Sequence, residues 1–249
     1  MKILTQTIDF KLKHLLFSKG NIVFIHGFSS SYYKSINFLI LLYKKGYNIY
    51  SFDLPNHGEN KEFDHQYSME EYLEYVEEKI KSLNLKSFFL IGHSMGGAIS
   101  SVIVNKFDNI KKLVLIDPFN FGHCSLHIHI HRLGLKLIKP IGPLFTPFLA
   151  KNPTNLSFDP RKLLISLFSQ SFLEILDKNV SEISKPILII FGEQDETINP
   201  ERSKTYFDEK FKDKRDYYFK LLPELKHSPQ NEDKERIKNV VLEFLKHGK

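Results

Sequence analysis

The chain has 249 residues, 42% of them hydrophobic, which is enough for one α/β domain with an extended core. Its 35 Lys and Arg residues against 29 Asp and Glu residues give a formal charge of +6, without a long block of like charges or a basic stripe interleaved with aromatic residues. Nucleic-acid binding is therefore not favoured. The one cysteine, Cys124, excludes an internal disulfide framework and favours a reducing compartment.

Strand-length apolar segments alternate with helical patterns along most of the chain. Residues 3–17 alternate loosely and could form an edge strand. Firmer strands are predicted at 21–25, 48–52, 87–91, 112–116, 186–191 and 217–222. Between them, apolar residues recur at helical spacing, most clearly at 32–45, at 69–83 behind a capping box, and at 237–245. This order predicts an α/β fold: a mostly parallel sheet with helices on both faces, whose ligand lies beyond the carboxyl ends of the strands.

The alternation stops between residues 119 and 185. Prolines there fall at positions 140, 143, 147, 153 and 160. We therefore predict a core domain made of residues 1–118 and 186–249, with residues 119–185 inserted as a cap. Residues 1–17 contain charged side chains and no apolar signal region, and the longest apolar run, at 38–42, is far too short to span a membrane. We expect a cytoplasmic protein without stable membrane insertion.

Residues 92–96 form the sequence Gly-His-Ser-Met-Gly, directly after a predicted strand and before a predicted helix. This arrangement fits the G-x-S-x-G nucleophile elbow, which holds its serine in a strained turn and lifts the hydroxyl clear of the sheet. Glycines two residues before and after the serine are needed because a Cβ atom there would collide across the turn. Free N–H groups at the start of the following helix favour negative charge beside the serine. Ser94 is the predicted nucleophile.

A serine hydroxyl needs a base within hydrogen-bond reach and a third group that orients the base. Ser94, Asp195 and His227 follow the chain order of the elbow fold, serine, acid, histidine, and the latter two each follow a predicted strand. We predict His227 as base and Asp195 as acid. Asp117, also at a strand end, is the alternative acid. Asp195 could instead be a solvated turn residue, and His227 a surface histidine.

The oxyanion of an acyl-transfer intermediate needs two N–H donors. One comes from the residue after the nucleophile, Met95, and the other from the loop after the first firm strand, where Phe28 is the candidate. Gly27 would allow the backbone to approach the reacting carbon closely. His26 in the same loop is better interpreted as a brace than as a chemical group.

These motifs resemble those of the α/β-hydrolase superfamily, especially its esterase, lysophospholipase and monoglyceride-lipase-like branch. The matching segments are 26–28, 53–58, 92–97 and 192–195, with His227, and the resemblance covers all but the predicted cap. It implies the α/β-hydrolase fold with a helical cap and a Ser-His-Asp triad. One departure is Asn56, where the family usually has glycine; asparagine tolerates left-handed backbone geometry.

The predicted reaction is hydrolysis of carboxylic esters through an acyl-enzyme, and it needs no metal or organic cofactor. A peptidase, thioesterase, C–C hydrolase or acyltransferase could use the same triad, and a non-catalytic ligand-binding protein could share the fold. The expected partner is a small-molecule ester. The cap region has eight basic against four acidic residues and an apolar stretch at 135–149, which would suit an acyl chain.

Histidines cluster near the start of the predicted cap, at positions 123, 127, 129 and 131, beside Cys124. On a strand, the last three would share a face, and imidazoles suit zinc, copper or nickel. Their spacing fits no structural zinc pattern, however, so we interpret them as surface histidines and assign no metal site.

Overall fold

The computed structural model describes residues 10–14, 16–60, 67–120 and 160–246. The histidines at 123–131 and most of the predicted cap lie outside these residues.

One sheet of seven strands organises the described part of the chain. The strands are β1 (Phe10–Leu12), β2 (Asn21–Ile25), β3 (Asn48–Ser51), β4 (Phe88–His93), β5 (Ile110–Ile116), β6 (Ile187–Gly192) and β7 (Tyr217–Leu222). Their spatial order is β1-β3-β2-β4-β5-β6-β7. Only β1 runs antiparallel to its neighbour; the other pairings are parallel. This confirms the predicted mostly parallel sheet.

Helices cover the sheet on both faces. They are α1 (Ile36–Lys44), α2 (Met69–Ser82), α3 (Met95–Ile103), α4 (Pro160–Leu167), α5 (Gln170–Ser181), α6 (Pro200–Lys210), α7 (Pro229–Glu232) and α8 (Lys234–Lys246), with 3₁₀ turns at Tyr32–Ser35 and Val104–Lys106. The predicted capping box is present at the start of α2: the Ser68 hydroxyl accepts from the Glu71 N–H, and the Glu71 carboxylate accepts from the Ser68 N–H.

Apolar side chains form a core on each face of the sheet. On one face α2, α3 and α5 bury residues such as Tyr72, Ile99 and Phe172 against the strands. On the other face α1 and α8 bury Leu39 and Val241. The central strands are covered on both sides, which explains why they are continuous apolar runs rather than alternating patterns.

Residues 119–120 and 160–185 are the described portions of the predicted cap. The longer of these segments forms α4 and α5, and α5 packs directly on α3 with Leu173 and Leu176 buried in the core beneath it. The boundaries of the cap at 119 and 185 stay a prediction. Among the helices described, none is both long enough and apolar enough to cross a membrane.

Candidate active site

Ser94 lies in a strained turn between β4 and α3. Its backbone has φ 52° and ψ −120°, a left-handed φ that costs a non-glycine residue about 1–3 kcal/mol. Two backbone hydrogen bonds hold this turn: the Ser94 N–H donates to the Ile116 carbonyl at 3.0 Å, and the Ser94 carbonyl accepts from the Phe119 N–H at 3.1 Å. The end of β5 therefore supports the backbone that presents the Ser94 hydroxyl.

The glycines on either side of Ser94 are required by close backbone approach. A Cβ atom on Gly92 would lie 2.4 Å from the Gly96 carbonyl oxygen. One on Gly96 would lie 2.4 Å from the carbonyl oxygens of Ile25 and His26. Real Cβ atoms essentially never come within 3.0 Å of such atoms, so neither glycine can be replaced without moving backbone. The expected tight turn of the elbow is thus present.

A continuous hydrogen-bond chain joins Ser94, His227 and Asp195. The Asp195 Oδ2 accepts from Nδ1 of His227 at 2.7 Å, and Nε2 of His227 lies 2.9 Å from the Ser94 hydroxyl oxygen. Because Asp195 holds the proton on Nδ1, Nε2 is free to accept the serine proton. The Asp195 side chain is buried and that of His227 is 16% exposed, so the imidazole borders the solvent side of the site.

Backbone donors fix the Asp195 carboxylate. Its Oδ1 accepts from the N–H groups of Thr197 and Ile198, at 2.7 and 3.0 Å, in the loop between β6 and α6. With His227 this makes three N–H donors on one buried carboxylate, and together they fix the orientation of its two oxygens. Asp195 is therefore not the solvated turn residue that the sequence also allowed.

His93, the residue before the serine, connects the elbow to the loop that contains His227. Its Nε2 donates to the His227 carbonyl oxygen at 2.9 Å, and the two rings lie 5.4 Å apart. Burial lowers the pKa of His93 to about 3, so the ring is neutral near pH 7. No local sequence signal marks His93, since its partner lies 134 residues away and its position in the elbow motif accepts any residue.

The loop after β2 lies against the serine. A Cβ atom built on Gly27 would lie 2.9 Å from the Ser94 Cβ, so the backbone that leads to Phe28 passes directly beside the nucleophile. Met95 is the first residue of α3, and its N–H belongs to the first helical turn, where no intrahelical acceptor exists. Both predicted oxyanion donors thus belong to backbone next to Ser94.

His26 braces this loop, as the sequence suggested. Its Nε2 accepts from the Leu54 N–H at 2.9 Å, and its Nδ1 donates to the Gly27 carbonyl at 2.8 Å. Burial lowers the pKa of His26 to about 4, which keeps Nε2 unprotonated and able to accept. Asn56, in the following 53–58 loop, has φ 60° and adopts the left-handed geometry expected where the family has glycine.

Asp117, the alternative acid, lies behind the triad rather than within it. It follows β5 directly, is fully buried, and its Oδ1 accepts from the Gly192 N–H at 2.9 Å. One oxygen of Asp117, one oxygen of Asp195 and one nitrogen of His227 lie within 4.8 Å of one another. Asp195 and not Asp117 accepts the Nδ1 proton of His227.

Known proteins resemble this chain along most of its length. Residues 20–137 match a family model described as the alpha/beta hydrolase fold. A protein of Mycoplasma genitalium named "Putative esterase/lipase 2" is 29% identical, over 91% of this chain and 89% of its own, and its namesake in Mycoplasma pneumoniae is 27% identical over the same shares. The crystal structure of Paleococcus ferrophilus monoacylglycerol lipase superposes with a TM-score of 0.75 at 21% identity, covering 98% of this chain and 100% of that one. At that identity the superposition shows the fold alone.

Proposed function

Because this chain belongs to the α/β-hydrolase superfamily, in its esterase- and lipase-like branch, we propose that it hydrolyses carboxylic esters through an acyl-enzyme formed on Ser94. The observation that supports this most strongly is the hydrogen-bond chain from Ser94 through His227 to Asp195. A protein that only bound ligands would have no need for all three groups in this order.

In the acylation step, Ser94 Oγ attacks the ester carbonyl carbon while its proton moves to Nε2 of His227. Asp195 then faces an imidazolium and stabilises it through the hydrogen bond to Nδ1. The N–H groups of Phe28 and Met95 donate to the oxyanion of the tetrahedral intermediate. As the intermediate collapses, the ester C–O bond breaks, and the leaving alcohol takes the proton from His227.

In the deacylation step, water replaces the alcohol. His227 accepts a proton from this water, which attacks the acyl carbon and forms a second tetrahedral intermediate in the same oxyanion site. The Ser94–acyl bond breaks, Ser94 regains its proton from His227, and the carboxylic acid leaves. No residue is consumed, and every proton transfer passes through Nε2 of His227.

Hydrolysis of p-nitrophenyl esters, from acetate to palmitate, tests the proposal. We expect release of p-nitrophenolate by the wild-type chain and none above background by Ser94→Ala, with the preferred acyl length reporting the size of the acyl site. Turnover that survives in Ser94→Ala would contradict the proposal. If no ester is hydrolysed but a fluorophosphonate labels Ser94, the triad reacts and the ester is the wrong substrate class, which leaves a peptidase, thioesterase or acyltransferase.

A further inference from the structure

Asp117 and Asp195 form a pair of buried carboxyl groups behind His227. Asp117 is fully buried and Asp195 is 6% exposed. One carboxyl oxygen of Asp117 lies within 4.8 Å of one carboxyl oxygen of Asp195. The two residues follow the carboxyl ends of the neighbouring strands β5 and β6. Two negative charges at this distance away from water repel each other strongly, which disfavours the ionisation of both carboxyls at once.

The hydrogen bonds decide which carboxyl is neutral. Asp195 accepts from three N–H groups, those of Thr197, Ile198 and His227. Within the described part of the chain, Asp117 accepts only from the Gly192 N–H. The Oδ2 atom of Asp117 is buried and has no hydrogen-bond partner among the residues that the structure describes. An anionic oxygen in such a position lacks the hydrogen bonds that would stabilise its charge. A protonated oxygen there can instead donate a hydrogen bond, provided that an acceptor lies beside it.

The electrostatic surroundings agree with this assignment. Burial raises the pKa of Asp117 well above its ordinary value of 3.8, and the charge of Asp195 raises it further. The titratable groups that face Asp117 are Asp195 from the loop after β6, His227 from the loop after β7, and Glu232 from α7. Both of the acids add negative potential, so none of the carboxyl neighbours favours an ionised Asp117.

We propose that Asp117 is protonated and donates a hydrogen bond from its hydroxyl to the Asp195 carboxylate, which makes it a positioning residue behind the triad. Through this bond a neutral group fixes the carboxylate that orients His227. The backbone prepares the contact: Asp117 has φ 41°, and its other oxygen is held by the N–H of Gly192, the last residue of β6. The proposal rests on the proposed function only in assigning Asp195 to the triad.

Two substitutions separate positioning from charge. Asp117→Gly accepts the left-handed φ but removes the donor, and we expect kcat to fall by about 10- to 100-fold with KM little changed, because a misplaced catalytic group costs rates of this order. Asp117→Asn keeps a donor for Asp195 and an acceptor for Gly192, and asparagine also tolerates the left-handed φ. We expect it to recover kcat to within about threefold of the wild type.

The pH profile adds a readout that simple loss of packing would not change. If Asp117 is neutral, Asp117→Asn alters no charge, and the acidic limb of kcat/KM should stay within about 0.3 pH units of its wild-type position. If Asp117 were ionised, the same substitution would remove a negative charge beside His227 and move that limb to lower pH by about one unit or more. That shift, or equal kcat values for the Gly and Asn variants, would overturn the proposal.

Unfolding by denaturant tests the proton itself and needs no substrate. Above about pH 4 the unfolded chain ionises Asp117, so the wild type must take up a proton at this residue on folding and loses stability as pH rises. Asp117→Asn has no such proton. The unfolding constant of the wild type relative to this variant should therefore rise by up to about tenfold per pH unit from pH 4 towards neutrality. A ratio that does not change with pH would refute a protonated Asp117.

The two failures can be told apart. If the wild type hydrolyses no ester while the unfolding ratio rises with pH, the proposed function is wrong and the proton on Asp117 stands. If ester hydrolysis depends on Ser94 but the unfolding ratio is flat and Asp117→Gly keeps full kcat, the inference about Asp117 is wrong and the proposed function stands.

Discussion

A methyl group added at Gly192 should disable catalysis without removing any catalytic atom. Gly192 ends β6, three residues before Asp195, and a Cβ atom there would lie 2.3 Å from the Lys226 carbonyl oxygen and 2.5 Å from that of Leu225. Since such contacts are not found below 3.0 Å, Gly192→Ala must separate the two backbones by at least about 0.7 Å. The displaced segment leads directly into His227.

This displacement sets the size of the expected effect. The His227 ring is held at 2.7 Å from Asp195 and 2.9 Å from Ser94, so a shift of about 0.7 Å lengthens at least one of these hydrogen bonds beyond its normal range. Misplacement by about 1 Å can cost about 100-fold in rate, and we expect kcat of Gly192→Ala to fall by about 30- to 100-fold.

Steady-state hydrolysis of the best p-nitrophenyl ester measures the loss, and Gly46→Ala is the matched control. Gly46 follows α1 at φ 100°, so alanine strains the backbone there, but the three atoms nearest to its Cβ would all belong to the flexible side chain of Lys19. We expect Gly46→Ala to lower the unfolding midpoint and keep kcat. If Gly192→Ala retains wild-type kcat, the tight contact between the two loops does not set the geometry of the triad.

Three further predictions concern the residues around the triad. Asp195→Asn should reduce kcat by about 10⁴-fold, because the carboxamide stabilises the wrong imidazole tautomer. A loss of kcat in Asp117→Asn with none in Asp195→Asn would reverse the assignment of the acid. His93→Phe removes the donor to the His227 carbonyl and should lower kcat about tenfold with a smaller change in KM, as read from ester kinetics; an unchanged kcat would refute a role in positioning. Burial lowers the pKa of His93 to about 3, so between about pH 3 and pH 6.5 the unfolded chain binds a proton at His93 that the folded chain does not, and stability falls as pH drops through this range. Urea unfolding midpoints should therefore fall less steeply with decreasing pH in His93→Gln than in the wild type. Equal slopes for the two proteins would contradict this prediction.

The strands and the elbow could be predicted from sequence because their signals are local. The run at 217–222 coincides with β7, and glycines at the second position on either side of Ser94 are a steric requirement of the turn. The start of β5 was harder to predict: the strand begins at Ile110, two residues before the predicted strand. Lys112 is buried there because its Nζ donates to the carbonyls of Phe244 and Leu245 at the end of α8, a contact across 132 residues that no local pattern reveals.

The identity of the residue that accepts from His227 depends on similar long-range geometry. Asp117 and Asp195 both follow strands whose carboxyl ends meet at one edge, so chain order alone does not distinguish them. The distinction comes from the loop after β6, whose N–H groups fix Asp195 against His227, and from the left-handed backbone of Asp117, which directs it to Gly192. The role of His93 likewise depends on a carbonyl supplied by a distant loop.

Rapid-quench mass spectrometry of the chain mixed with a p-nitrophenyl ester tests whether Ser94 carries the acyl group during turnover. We expect a transient mass increase equal to one acyl group, located by peptide fragmentation on Ser94. This adduct should form as fast as the burst of p-nitrophenolate and decay at kcat. The same adduct should be absent from Ser94→Ala. An acyl group on any other residue, or ester hydrolysis at full rate in Ser94→Ala, would contradict the assignment of Ser94 as the nucleophile.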